Sequence, residues 1–71
     1  MNGILILENL TLGQKAKYLR LSLGLRQIDV ASQAKVQPID VTRLEHDRYV
    51  KPTIRKRILA LLGLLEVEGE H

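Results

Sequence analysis

Apolar positions along this chain fall at helical spacing, and the breaks between them divide it into segments. Leu12, Ala16, Leu19 and Leu23 are separated by four, three and four residues. That spacing predicts a one-faced helix over about 11–23. Thr11 is placed to cap its start, and Gly24 sits where a left-handed glycine ends a helix. The next stretch, "LRQIDVASQA", puts Ile28, Ala31 and Ala34 on one face with Val30 beside them. It predicts a second helix over about 27–34, whose alanines let a neighbour approach closely. Lys35, Val36 and Gln37 interrupt the pattern. Pro38 then fits the first turn of a third helix, where its missing N–H costs nothing. Val41 and Leu44 form the buried stripe of that helix, Ile39 is partly exposed at its start, and it ends near His46. "HDRYVKP" is polar and turn-like, and Lys51 is biased away from helix by the proline after it. Thr53 is the expected cap of a fourth helix, with Ile54, Ile58, Leu59 and Leu62 inside and Gly63 at its end.

The two ends read differently. "GILILENL" is an apolar arm over residues 1–10. It either packs on the helices or pairs as a strand with another chain, and pairing would leave an edge in need of a partner. "LLEVEGEH" is either a short last turn or a frayed tail, acidic over 66–71. The expectation is therefore an all-α fold. One domain of four to five helices spans 11–65, between the arm and the tail. At 71 residues a single core is marginal, and oligomerisation often helps.

Composition narrows the function. There is no cysteine, so disulfides and thiolate metal sites are excluded. His46 and His71 have no ligand partners at close spacing, so neither a metal nor a cofactor is expected. No apolar run approaches the roughly 18 residues of a membrane span. "GILIL" is short and lacks the basic flank of a signal peptide, so a cytoplasmic protein is expected. Ser22 and Ser32 have no neighbouring base with an orienting acid, and a glycine-rich phosphate loop is absent, so an enzyme is not expected. The net charge of +3 hides an asymmetry. All eleven Lys and Arg lie between positions 15 and 57, opposed there by only Asp29, Asp40, Glu45 and Asp47, which leaves +7 over that segment. A basic body suits a polyanion partner; the plainer reading is a solvated surface of mixed charge.

Two short helices joined by a three-residue turn make a helix-turn-helix. The second can enter a DNA major groove, about 12 Å wide, if its outer side chains match base edges. The outer face here carries Gln37, Thr42, Arg43 and His46. Arginine pairs bidentately with guanine, threonine offers a hydroxyl to a base edge or a methyl to thymine, and Ile39 can touch a thymine methyl. The segments "LRLSLGLRQIDVASQA", "VTRLEHDR" and "KP", in that order, resemble the Cro/C1-type (XRE) helix-turn-helix family of phage repressors and bacterial regulators. The likeness covers residues 12–62, about five-sevenths of the chain. It implies a lambda-repressor-like domain that binds double-stranded DNA. It places Gln37, Pro38, Ile39, Thr42 and Arg43 on bases, and Gln27, His46, Arg48 and Lys51 on phosphates. It also implies a structural salt bridge between Arg20 and Glu45. Lys35 departs from the family, which usually has glycine in the turn. Pro38 and Ile39 replace polar residues that often read bases, so specificity rests on Thr42 and Arg43 or on DNA shape.

Each assignment has a plainer counterpart. Arg43 can be a solvated arginine, Gln27 a helix former and His46 a cation on a helix end. Arg55, Lys56 and Arg57 can be a solvated face or reach a phosphate. Tyr49 can bond a phosphate or cover its loop, and with Tyr18 it is too isolated for single-strand stacking. One helix reads few bases, so a homodimer on a two-fold site is expected, joined through the fourth helix and the segment after it, with or without the arm. The alternative is a protein-interaction module, such as an antitoxin or anti-repressor, with a protein partner in place of DNA.

Overall fold

The structure, a computed structural model, describes residues 9–64. Among them are four helices and no strand: α1 (Leu12–Ser22), α2 (Gln27–Ala34), α3 (Pro38–Glu45) and α4 (Pro52–Leu61). The arm before Asn9 and the tail after Leu64 lie outside the described residues, so the readings made for them stay as expectations.

Helix starts follow local chemistry. Thr11 caps α1: its hydroxyl accepts from the Gln14 N–H at 3.1 Å, and the Gln14 side chain accepts from the Thr11 N–H at 2.9 Å. In α2 and α3 the third residue does this work. Asp29 accepts from the Arg26 N–H at 2.8 Å, and Asp40 from the Gln37 N–H at 3.1 Å. These carboxylates also sit at the positive ends of their helices. The start of α4 corrects the sequence reading. Its cap is Lys51, not Thr53, and no side chain caps it. Pro52 takes the first helical position, and extended Lys51 before it leaves Thr53 one residue inside.

All four helices end alike. A residue with positive φ follows each one: Gly24 at 73°, Lys35 at 61°, Asp47 at 58° and Gly63 at 78°. The next N–H then reaches back to a carbonyl five residues earlier: Leu25 to Arg20, Val36 to Ala31, Arg48 to Arg43 and Leu64 to Leu59, at 2.8–3.1 Å. Two of the four positions are glycine, which adopts this backbone freely; Lys35 does so at a cost.

α3 packs against each of the other three helices. The core is Ala16, Val30, Ala31, Ala34, Val41, Leu44, Val50, Ile58, Leu59 and Leu62. Ile58 and Leu59 are fully buried, each worth roughly 1.5–3 kcal/mol of transfer free energy. Two apolar residues expected inside are outside: Leu23 is 58% exposed and Ile28 55%. Leu23 has left the helix as its C-terminal cap, and the buried face of α1 is Gly13, Ala16 and Arg20. In α2 the face turned inward is Val30, Ala31 and Ala34 with half-buried Gln27. Ile28, one residue past Gln27, points about 100° away from it.

Gly13 explains how α1 meets α3. A Cβ there would lie 2.4 Å from the Leu44 carbonyl oxygen and 2.8 Å from that of Glu45. The positive end of α1 thus abuts the negative end of α3. Asp47 closes this joint, accepting from the Gly13 N–H at 2.9 Å and the Thr11 hydroxyl at 2.6 Å. Those donors, the Thr11 hydroxyl first, hold its carboxyl below the usual range, with Arg55 and His46 adding to the effect.

Candidate nucleic-acid interface

The outer face of α3 is set by what anchors its inner face. Val41 and Leu44 are buried, and Glu45 is buried beside them. Arg20 meets Glu45 as a fork: Nε lies 2.5 Å from Oε2 and Nη2 lies 3.2 Å from Oε1. The side chains are only 9% and 2% exposed. The remaining guanidinium nitrogen, Nη1, donates to the Leu25 carbonyl at 2.9 Å, so each side of the fork is bonded. A buried pair of this kind is costly to break from one side only.

Glu45 also organises polar groups toward the surface. The Gln27 amide donates from Nε2 to Glu45 Oε1 at 2.9 Å. An ionised carboxylate only accepts, so the amide must turn its nitrogen to Glu45 and its oxygen outward. Gln27 Oε1 then accepts from the Thr42 hydroxyl at 2.8 Å. A chain of hydrogen bonds therefore runs from Arg20 through Glu45 and Gln27 to Thr42, across α1, α2 and α3. Glu45 takes one of the two amide protons of Gln27.

The remaining side chains gather on the outside of α3. Ile39, Thr42, Arg43, His46 and Arg48 line one open recess of about 410 Å³. A second groove, of about 390 Å³, shares Ile39 and Arg43 and adds Gln37, Tyr49 and Lys51 along its sides. Ile39 is 50% exposed and Tyr49 78%. His46, the cap residue after α3, places Nδ1 2.9 Å from the Thr42 carbonyl oxygen. A carbonyl only accepts, so Nδ1 is the donor in this contact. Pro38 is exposed at the first position of α3. Of the nine residues assigned to DNA, seven line these two grooves; Gln27 joins them through Thr42, and Pro38 opens the helix that carries them.

Three residues escaped the sequence reading. Asp40 is buried under the second groove, where it ties down the Gln37 N–H. Its position three after the cap was the available signal. Asp47 and Gly13 act on each other across 34 residues, and no local pattern announces that.

The basic run on α4 is not uniformly solvated. Arg57 donates to the Lys35 carbonyl at 3.3 Å and Arg55 is half-buried, whereas Lys56 is exposed. At the start of α2, Arg26 holds Asp29 through its side chain, with Nε to Oδ2 and Nη2 to Oδ1 both 2.9 Å. That side-chain bond is the main reason the Asp29 carboxyl is lowered to about 2.

Among the described residues no cluster of His, Asp and Glu could hold a metal ion, and no helix is long and apolar enough to cross a membrane. Comparison with protein-family models, with curated proteins and with solved structures found no match.

Proposed function

We propose that this chain binds double-stranded DNA and acts as a transcriptional regulator, a repressor by preference, with α2 and α3 as a helix-turn-helix and α3 in the major groove. The observation that carries the reading is the outer surface of α3. Ile39, Thr42, Arg43, His46 and Arg48 face outward together, while the Arg20–Glu45 pair and the Asp47–Gly13 joint hold the helix behind them. Arg43 supplies the bidentate donor for guanine. Gln27, His46, Arg48 and Lys51 surround it as phosphate contacts. At the N-terminus of α2, Arg26 offsets the charge of Asp29, so an approaching phosphate meets little repulsion there.

Affinity on this reading comes mainly from cations on phosphates and falls steeply with salt. Selectivity comes from two copies on a two-fold symmetric site, with half-sites about 34 Å apart, one helical turn. The test is selection from a random duplex library near physiological salt, followed by sequencing. A palindrome with that spacing supports the proposal, and no enrichment refutes it. Arg43→Ala should then weaken binding to the recovered site by roughly 5- to 100-fold and relax preference at one base pair.

A second reading, a module that binds another protein, draws on the exposed Leu21 of α1, Leu23 just after it and Ile28 of α2. In that case Arg43→Ala leaves partner binding intact.

A further inference from the structure

We infer that α3 reads the C5 methyl of a pyrimidine, and that Thr42 does so with its methyl group and not its hydroxyl. The inference rests on the DNA-binding reading and deepens it to a ligand chemistry. A threonine on a recognition surface can donate from its hydroxyl, accept with it, or touch a methyl. Here the first role is already taken. Glu45 fixes the Gln27 amide, the amide oxygen accepts the Thr42 proton at 2.8 Å, and the Pro38 carbonyl lies 3.4 Å from the same hydroxyl. The oxygen is held by Gln27 of α2. The hydroxyl has no proton left for a base edge, and of the two roles that remain the methyl is the one its aliphatic neighbours match.

The neighbours of Thr42 in the recess fit this chemistry. Ile39 stands one turn earlier on the same face and is half-exposed, an aliphatic surface with no polar group to satisfy. Pro38, before it, has no N–H to offer. Together Ile39 and Thr42 present carbon to the groove, and Arg43 beside them presents the donor fork. The surface therefore matches a C5-methylated pyrimidine next to a guanine. In the major groove that methyl belongs to thymine or to 5-methylcytosine.

The experiment uses the full chain and the duplex recovered by selection. Each thymine of the half-site is replaced in turn by uracil, which removes only the C5 methyl. Each cytosine is replaced in turn by 5-methylcytosine, which adds only that group. The readout is the ratio of affinities within each pair of duplexes, for the natural chain and for Thr42→Val, Thr42→Ser and Ile39→Ala. Valine keeps the methyl and lacks the hydroxyl; serine keeps the hydroxyl and lacks the methyl. For the natural chain, at least one substitution should change affinity by about fourfold, the effect of burying one methyl-sized group. Loss on uracil assigns the methyl to thymine, and gain on 5-methylcytosine assigns it to a modified cytosine. Thr42→Ser should abolish the ratio at one position and Thr42→Val preserve it, while Ile39→Ala abolishes it at a neighbouring one. The inference is overturned if Thr42→Val abolishes the ratio and Thr42→Ser preserves it, or if no base responds to its methyl. A selection that enriches no site would remove the DNA reading itself, a different result from an enriched site indifferent to methyls.

Discussion

Replacing Gly13 with alanine sets two effects of opposite sign against each other. Alanine is the better helix former, by at most about 1 kcal/mol. On intrinsic preference alone the variant is more stable. The tertiary structure says otherwise. The added Cβ would meet the Leu44 carbonyl oxygen at 2.4 Å, the Glu45 carbonyl oxygen at 2.8 Å and Asp47 Oδ1 at 2.8 Å. Two of these are backbone atoms in the last turn of α3 and cannot swing aside. Restoring ordinary contact, which begins at 3.4 Å, requires α1 and α3 to separate locally by about 1 Å. Overpacking of this kind costs about 1–3 kcal/mol. The same separation stretches the bonds from the Gly13 N–H and the Thr11 hydroxyl to Asp47, each worth about 1 kcal/mol. The net expectation is a loss of about 2–4 kcal/mol, most of what a domain this small holds. Urea unfolding followed by far-UV circular dichroism, at fixed protein concentration, measures it. Lys17→Ala, on the exposed side of the same helix, is the control and should stay close to the natural chain. A Gly13→Ala variant as stable as the natural chain, or more so, would refute the close approach of α1 to α3.

Lys35→Gly should work in the other direction. The backbone there is left-handed at φ 61°, so glycine should gain about 1 kcal/mol and raise the melting temperature by several degrees; a decrease would mean the lysine side chain contributes something the backbone argument omits. Arg20→Met should cost about 3–5 kcal/mol by stranding buried Glu45, and adding Glu45→Met should recover part of that loss, as thermal unfolding of the single and double variants would reveal. The pH dependence follows from two lowered carboxyls. Asp29, at about 2, and Asp47 both ionise more readily in the folded chain than at the ordinary value of 3.8. Their contribution is thus fully present above 3.8 and is lost as pH falls from there toward the folded values. Asp47→Asn and Asp29→Asn should each make the acid side of the stability profile shallower; an unchanged slope in both would contradict the hydrogen bonds assigned to them.

Much of this protein is written in local sequence. Periodicity placed four helices. The break at Lys35, Val36 and Gln37 was visible because three residues without the helical repeat separate two compact apolar faces. Thr11, Gly24, Pro38 and Gly63 marked helix ends, since capping and left-handed turns depend on the residue itself and its nearest neighbours. The outward set on α3 was legible for the same reason: residues between buried positions on a short helix have only the outside to occupy.

The tertiary structure decided the rest, where the deciding contact lies far along the chain. Leu23 and Ile28 are as apolar as the core, yet Arg20 and Gln27 hold the inner positions, because Glu45 of α3 meets them there. Gly13 reads as a poor helix residue until the end of α3 is placed against it. Thr42 reads equally well as a hydroxyl or a methyl. Only the chain of bonds from Arg20 to Gln27, drawn from three helices, takes its proton. Sequence fixes which faces a helix has, because that is a matter of spacing within a few turns. Which face meets which partner, and which atom of a side chain remains for a ligand, is settled by groups distant in sequence that folding brings within hydrogen-bonding distance.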